Sequence, residues 1–231
     1  MGTKNPTAIA VGMLEDGRVR LTSVIERLYG IQAVVDALAG IEGLHGVAID
    51  GPLVITNQTG QRCCERLIGV TYGSRKASCH TSNLHKFPNA AGVHLSSKLT
   101  EAGFQHLAPT SKKWQVECYP HPALIEIFGL PERLAYKKGS IDHKRAGQVE
   151  LGRLLLSLDS SPTLALKLCD KHRLFFKPER IRDLRGAELK HNEDVLDAVI
   201  CMYVGALYQS GKTDQVFGSA TDGYIYVPKM S

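Results

Sequence analysis

The feature that most constrains the fold is a short uncharged run at residues 45–49 (HGVAI), which ends in Asp50 and is followed at once by Gly51 and Pro52. Val and Ile in such a run predict a strand that is buried on both faces of a sheet. Because Pro52 cannot donate to a sheet ladder and Gly51 permits a sharp turn, we expect Asp50 at the carboxyl end of this strand. Open α/β sheets bind their ligands at that edge, so Asp50 is a candidate functional residue. An Asp here can equally cap the next turn.

The segments before this strand predict the order of an α/β fold. Residues 7–14 and 18–25 flank a Glu-Asp-Gly turn sequence, which indicates a β-hairpin. Residues 31–38 carry apolar side chains at the i, i+3, i+4 and i+7 spacing of an amphipathic helix. Hairpin, helix and strand in this order favour an α/β fold. The 231 residues, 43% of them hydrophobic, suit a single domain over residues 1–231.

A second carboxylate lies in a second strand. Residues 56–62 form a polar loop, residues 63–70 a short helix, and residues 71–89 a long polar stretch without periodicity. Residues 114–118 then predict a strand, which prolines end and which contains Glu117. A buried strand position seldom holds a carboxylate without a partner or a metal ion, so Glu117 is a second candidate.

Two basic segments follow. Residues 133–145 and 171–185 are rich in Lys and Arg, and we expect the second to be an irregular surface segment. The first includes Lys137 and Lys138, and is either a solvated loop or a phosphate-binding patch. The patterns between and before these segments predict short helices, at residues 123–128, 148–158 and 164–168.

The last candidate acids lie near the start of a predicted helix over residues 192–207. Asn192 is a suitable N-cap, and acids in a first turn are favoured by the helix dipole. Asp194 and Asp197 are three residues apart and share a face, but Asp197 is surrounded by apolar residues and has less of a structural reason to be there. Residues 224–228 predict a closing strand.

Composition narrows the class of protein. The net charge is +5, which permits a nucleic-acid partner without requiring one. The six cysteines are scattered and include no C-x-x-C pair, which argues against structural zinc and against a secreted disulfide framework. No apolar run is long enough to span a membrane. We therefore expect a cytoplasmic protein without a membrane partner. Acids on separate elements are typical of sites that bind Mg²⁺ or Mn²⁺ and cleave phosphodiesters.

Five segments taken together resemble the predicted-nuclease family catalogued as domain of unknown function 429. They are AIDGPL (48–53), GQRCC (60–64), VECYP (116–120), DVLDAV (194–199) and DGYIYVP (222–228). The resemblance implies an α/β, RNase H-like fold, a mixed sheet flanked by helices. It also implies an acidic site, whose members are Asp50, Glu117, Asp194 and Asp197.

We therefore expect a divalent-metal-dependent nuclease that hydrolyses phosphodiester bonds of DNA or RNA. The expected ligands of Mg²⁺ or Mn²⁺ are Asp50, Glu117 and Asp197, with Asp194 assisting. The expected phosphate contacts are Arg62, Lys137 and Lys138.

The chain departs from the family pattern at its first residues. Members of the family usually open with a strand that ends in Gly-x-Asp, whereas residues 1–6 (MGTKNP) resemble the turn that follows it. We therefore expect a sheet without that strand and a site without that acid. The alternative function is a catalytically silent protein of the same fold that binds nucleic acid or a nucleotide.

Overall fold

The computed structural model describes residues 6–211 and 215–229 and shows a mixed α/β architecture. The strands are β1 (Thr7–Glu15), β2 (Arg18–Leu28), β3 (Gly46–Asp50), β4 (Gln105–His106), β5 (Trp114–Cys118), β6 (Ala165–Lys167), β7 (Val216–Ser219) and β8 (Gly223–Tyr226). The helices are α1 (Gly30–Ala39), α2 (Cys63–Tyr72), α3 (Ala91–Glu101), α4 (Pro120–Phe128), α5 (Ile141–Ser157), α6 (Asp170–Arg173), α7 (Pro178–Asp183) and α8 (Gly186–Ser210). Short 3₁₀ turns cover Leu158–Ser160 and Leu174–Phe176.

The first sheet contains the predicted hairpin. β1 and β2 pair antiparallel around the turn at residues 16–17, as the sequence predicts, and β6 pairs parallel with β2. The prediction of a helix over residues 164–168 is wrong, because these residues include β6. Leu166 is buried opposite Val19 of β2, so its alternation with half-buried neighbours follows the period of a strand.

The second sheet contains the organising strand. Its order is β3-β5-β8-β7, with β4 also paired to β5, and the predicted strands at residues 45–50, 114–118 and 224–228 are confirmed as β3, β5 and β8. The pairing of β3 with β5 is parallel and sets Ile49 opposite Glu117. The described residues therefore form two mixed sheets, and not the one sheet that the sequence predicts.

Helices cover both faces of the second sheet. α1, α2 and α3 contribute apolar side chains to one face, against Ile49 of β3 and Ile225 of β8. α8 covers the other face, against Trp114 and Cys118 of β5, and also packs on β1 and β2 of the first sheet. The long helix α8 is therefore the element that joins the two sheets.

A cavity of about 1080 Å³ separates β1 from β3. Its walls are β1, residues 45–50 and α8, and they are mostly apolar. In the parts of the chain that the structure describes, β1 pairs only with β2, β3 pairs only with β5, and no strand lies between them. The open space beside β3 explains why Ile49 is the one buried residue of this strand, although the sequence predicts burial of the whole strand.

Several helix boundaries differ from the prediction. α8 begins at Gly186, so Asn192 is not an N-cap but a buried residue inside the helix, where it accepts a hydrogen bond from Arg180 and donates one to Gln148. Residues 171–185 are largely helical rather than irregular, and α3 and β7 have no counterpart in the prediction. Of the helices in the described residues, none is both long enough and apolar enough to cross a bilayer.

Candidate functional site

Asp50 lies where the sequence places it, at the last position of β3. The strand ends there because Gly51 turns back to donate its amide to the carbonyl of Ile49, and Pro52 follows. The Asp50 side chain is 35% exposed and lies at the rim of the cavity between the two sheets. It is therefore accessible to a ligand.

α8 brings Asp197 to the same rim. The helix packs closely on β3 at Gly205, where an added Cβ would lie 3.1 Å from the Cβ of Ala48. Asp197 lies two turns before this contact, lines the same cavity and is 16% exposed. Close packing of a small residue on the sheet thus sets the distance between the acid of the helix and the acid of the strand.

A lysine connects the two acids. Nζ of Lys137 lies 2.9 Å from Oδ2 of Asp197 and 3.3 Å from Oδ2 of Asp50. Lys137 comes from the loop between α4 and α5, and the buried Tyr136 beside it donates its hydroxyl to Oδ1 of Asp197 at 2.7 Å. This loop packs closely on α5 at Gly147, where an added Cβ would lie 2.4 Å from the carbonyl oxygen of Ala135.

Burial shapes the protonation of this cluster. It raises the pKa of the Asp197 carboxyl to about 7, an effect that the neighbouring Asp50 reinforces and that the Lys137 ammonium opposes. Burial by itself would lower the pKa of Lys137, but the two carboxylates outweigh it and raise that pKa, so the lysine stays charged. The cluster is a cation held between two acids, one of which titrates near neutrality.

Asp194 lies one turn before Asp197 and lines the same cavity. Its Oδ1 accepts a hydrogen bond from Lys190 at 2.7 Å, whereas its Oδ2 is buried and has no hydrogen-bond partner among the described residues. An unpaired buried carboxylate oxygen is costly, so this oxygen is a further available ligand atom at the cavity.

The structure does not bring Glu117 to this cluster. Because Glu117 is opposite Ile49 in the sheet, and side chains alternate between faces, it lies on the face away from Asp50 and α8. Its carboxylate accepts two hydrogen bonds from Arg62, at 2.6 and 2.8 Å, and one from the Leu53 amide. The expectation that Glu117 is a metal ligand beside Asp50 and Asp197 is therefore corrected.

The expectation that Arg62 contacts a phosphate is also corrected, because Arg62 is buried and paired with carboxylates. Its side chain is 2% exposed and also pairs with Glu65 at 2.9 Å, so it cannot reach a phosphate in this conformation. Oε2 of Glu65 accepts hydrogen bonds from the amides of Arg62 and Ser82, which holds the loop at residues 73–90 against α2. We call this set, Arg62, Glu65 and Glu117, the Arg62 cluster.

Several residues lie beside the Lys137 cluster, which we define as Lys137, Asp50 and Asp197. Lys138 is exposed beside it. His121 packs edge-on against Tyr136 and is buried, and this burial, together with the charges of Lys137 and Arg133, lowers the pKa of the imidazole to about 3. Neither Tyr136 nor His121 is predicted as a site residue from the sequence, although an aromatic residue directly before a Lys-Lys pair is a visible signal for Tyr136.

The described residues contain no group of three or more His, Cys, Asp or Glu side chains placed to hold a metal ion. The Lys137 cluster instead offers two carboxylates around a cation position, with the unpaired oxygen of Asp194 on the same cavity wall. Such an arrangement can exchange an ammonium for a hard divalent cation that completes its coordination with water and substrate oxygens.

Comparison with known proteins places the chain in a family. The profile of a family described as "Protein of unknown function (DUF429)" matches residues 4–222, so the chain belongs to that family. Searches of curated proteins and of solved structures gave no significant match.

Proposed function

We propose that this member of the family is a divalent-metal-dependent nuclease, which hydrolyses phosphodiester bonds of nucleic acid on an RNase H-like arrangement of sheet and helices. The observation that carries the proposal is the position of the Lys137 ammonium between the carboxylates of Asp50 and Asp197. Two acids from different elements converge there on one cation, at the carboxyl end of β3, an edge strand that pairs parallel with β5.

The residues fit Mg²⁺ or Mn²⁺ as the cofactor. Magnesium takes oxygen ligands and is commonly held by one or two carboxylates, with waters and substrate phosphates as the other ligands. Asp50 and Asp197 supply the carboxylates, and the unpaired Oδ2 of Asp194 supplies a further oxygen on the same wall. When bound, such an ion lowers the pKa of a coordinated water and stabilises charge on the leaving oxygen.

The protein's own residues then have distinct tasks. Asp50 and Asp197 would hold the cation, and the Tyr136 hydroxyl fixes the orientation of the Asp197 carboxylate. Lys137, once displaced from the carboxylates, is a cation at the site that can pair with the phosphate under attack, and Lys138 lies beside it on the surface.

A second candidate is a nucleic-acid-binding protein without cleavage activity. One specific observation favours it, namely that Lys137 already neutralises the two carboxylates. If the lysine is not displaced, the site binds no metal, and the basic surface alone contacts the nucleic acid.

Thermal unfolding with and without metal separates these candidates. Millimolar Mg²⁺ or Mn²⁺ should raise the Tm of the wild-type protein, because a ligand that binds only the folded state stabilises it. Asp197→Asn should abolish the shift and the metal-dependent cleavage of single- and double-stranded DNA and RNA. Asp36→Asn, which alters an exposed aspartate on α1, should change neither.

Each outcome has a defined meaning. A wild-type protein that binds nucleic acid, shows no metal-induced shift and cleaves nothing in either metal would support the second candidate. A shift that persists in Asp197→Asn would place the metal elsewhere.

A further inference from the structure

The basic residues of this chain are unevenly distributed. Residues 133–145 and 171–185 together contain 11 Lys and Arg against 3 Asp and Glu, whereas the whole chain contains 28 against 23. The rest of the chain therefore carries a slight excess of acid. Such a segregation creates a positive field over part of the surface, even though the net charge of the protein is modest.

The fold brings the two basic segments together. α5, which continues from the first segment, packs against α7 of the second. Arg145 of α5 bridges them, because its guanidinium donates to the carbonyl oxygen of Leu184 at 3.4 Å while it also pairs with Asp142 at 2.7 Å. Segments that are separate in the sequence thus form one surface.

A groove of about 390 Å³ lies between α5 and α7 on this surface. Three arginines line it, Arg145, Arg153 and Arg182, and Ala146 and Val149 form part of its wall. The acids beside it are Asp142 and Glu150. We call this feature the arginine groove.

The arginines retain unused donors. Nε of Arg145 is buried and lacks a hydrogen-bond partner among the described residues, and the exposed side chain of Arg182 forms no ion pair within them. Arg153 is 55% exposed and reaches Glu150 only at 3.5 Å. Guanidinium groups with free donors are suited to paired hydrogen bonds with phosphate oxygens.

The arginine groove is linked to the proposed active site by α5. The loop that carries Lys137 and Lys138 leads directly into this helix, whose N-cap is Ser140. From Ile141 to Arg153 the helix rises about 18 Å, which corresponds to about five base-pair steps along a duplex at roughly 3.4 Å each. The distance between the loop and the groove is therefore one that a polynucleotide of several residues can span.

We propose that the arginine groove binds the phosphate backbone of a nucleic-acid strand outside the point of cleavage. The inference rests on the proposed function for the nature of the substrate, but binding in the groove requires neither metal nor cleavage. It assigns to the protein a polynucleotide substrate rather than a mononucleotide or a dinucleotide.

The test uses the full chain with Arg153→Gln and Arg182→Gln combined. Both side chains are exposed, so the variant should fold normally, as circular dichroism and Tm can verify. Binding of a fluorescent single-stranded 20-mer is measured in EDTA over a range of salt concentrations. We expect Kd to rise about tenfold at low salt and the slope of log Kd against log salt to fall by about 1 to 2, as the loss of two phosphate contacts requires.

The matched control is Lys98→Gln combined with Lys112→Gln, which removes two exposed positive charges near α3 and β5. This variant should keep the wild-type Kd and slope. Hydrolysis of bis(p-nitrophenyl) phosphate, a substrate too small to reach the groove, should be equal in the groove variant and the wild type, while the KM for the 20-mer rises.

The failure of this proposal and that of the proposed function are distinguishable. Weaker, less salt-dependent binding by the groove variant supports the arginine groove even if the wild-type protein hydrolyses neither substrate. Wild-type Kd and slope in the groove variant, or no binding of the 20-mer by the wild-type protein, would overturn it whatever the cleavage assays show.

Discussion

The Arg62 cluster and the Lys137 cluster have the same composition, two carboxylates and one cation, but differ in what surrounds the charges. Arg62 is 2% exposed, and the amides of Leu53, Ser82 and Arg62 itself satisfy the remaining carboxylate oxygens of its cluster. Lys137 is 21% exposed, and its partner Asp50 is 35% exposed. The first cluster has its hydrogen bonds complete, whereas the second is open to exchange with solvent and ligand.

The difference follows from the alternation of side chains along two paired strands. Asp50 and Glu117 come from neighbouring strands, but Glu117 is opposite Ile49 and not opposite Asp50. An offset of one residue sends the two acids to opposite faces of the sheet. Glu117 then contacts residues around α2 and stabilises the fold, whereas Asp50 lies near α8 at the cavity.

The largest expected effect of this difference is on stability. Arg62→Met should lower the free energy of unfolding by about 3–5 kcal/mol, because it leaves the buried carboxylates of Glu65 and Glu117 without their cation. Lys137→Met should cost about 1 kcal/mol, since Asp50 can be solvated and Asp197, whose pKa is raised by burial, can take up a proton. Urea unfolding of both variants measures the contrast. Equal losses of unfolding free energy in the two variants would contradict the difference in burial between the two clusters.

An intermediate effect is expected on the pH dependence of stability without metal. The pKa of Asp197 rises on folding from 3.8 to about 7, so the folded state holds the extra proton between these values. Stability should therefore fall as pH rises from about 4 to about 7 in the wild type, relative to Asp197→Asn, which cannot titrate. Contributions from the Arg62 cluster are common to both proteins and cancel.

The measurement is the difference in unfolding free energy between the two proteins at several pH values. Saturating Mn²⁺ should reverse the wild-type trend near pH 7, because the metal binds the ionised carboxylate. A difference that does not change with pH would contradict the raised pKa.

The smallest expected effect concerns the hydroxyl of Tyr136. Tyr136→Phe removes the hydrogen bond to Asp197, which should cost about 1 kcal/mol of stability and raise the pKa of Asp197 further. The pH midpoint of metal binding should move upward, as metal titrations at different pH values would show. Tyr72→Phe, a buried tyrosine of α2, is the matched control and should leave that midpoint unchanged.

The elements around the site could be predicted because their local signals agree with the tertiary structure. Gly51 and Pro52 end β3 immediately after Asp50, so sequence alone locates this acid at the strand end. Asp197 was identifiable as a carboxylate among apolar residues of a helix, which places it on or near a buried face. Lys137 was identifiable only as part of a basic loop, and its position between the two acids depends on the packing of that loop.

The predictions that failed concern features that depend on contacts between residues distant in the sequence. The partner of Glu117 could not be deduced, because the sequence of neither strand specifies the register in which β3 and β5 pair. Asn192 has the chemistry of an N-cap, but its side chain is engaged by Gln148 and Arg180 from other helices. The run that contains β6 is too short for its period to distinguish a strand from a helix.

The cavity between β1 and β3 has a consequence for the volume of the molecule. Its mostly apolar walls enclose space that the side chains of the described residues do not fill. Unfolding collapses that space, and the unfolded chain with its solvent then occupies less volume than the folded protein. Hydrostatic pressure therefore favours the unfolded state in proportion to the space that is lost at the seam between the two sheets.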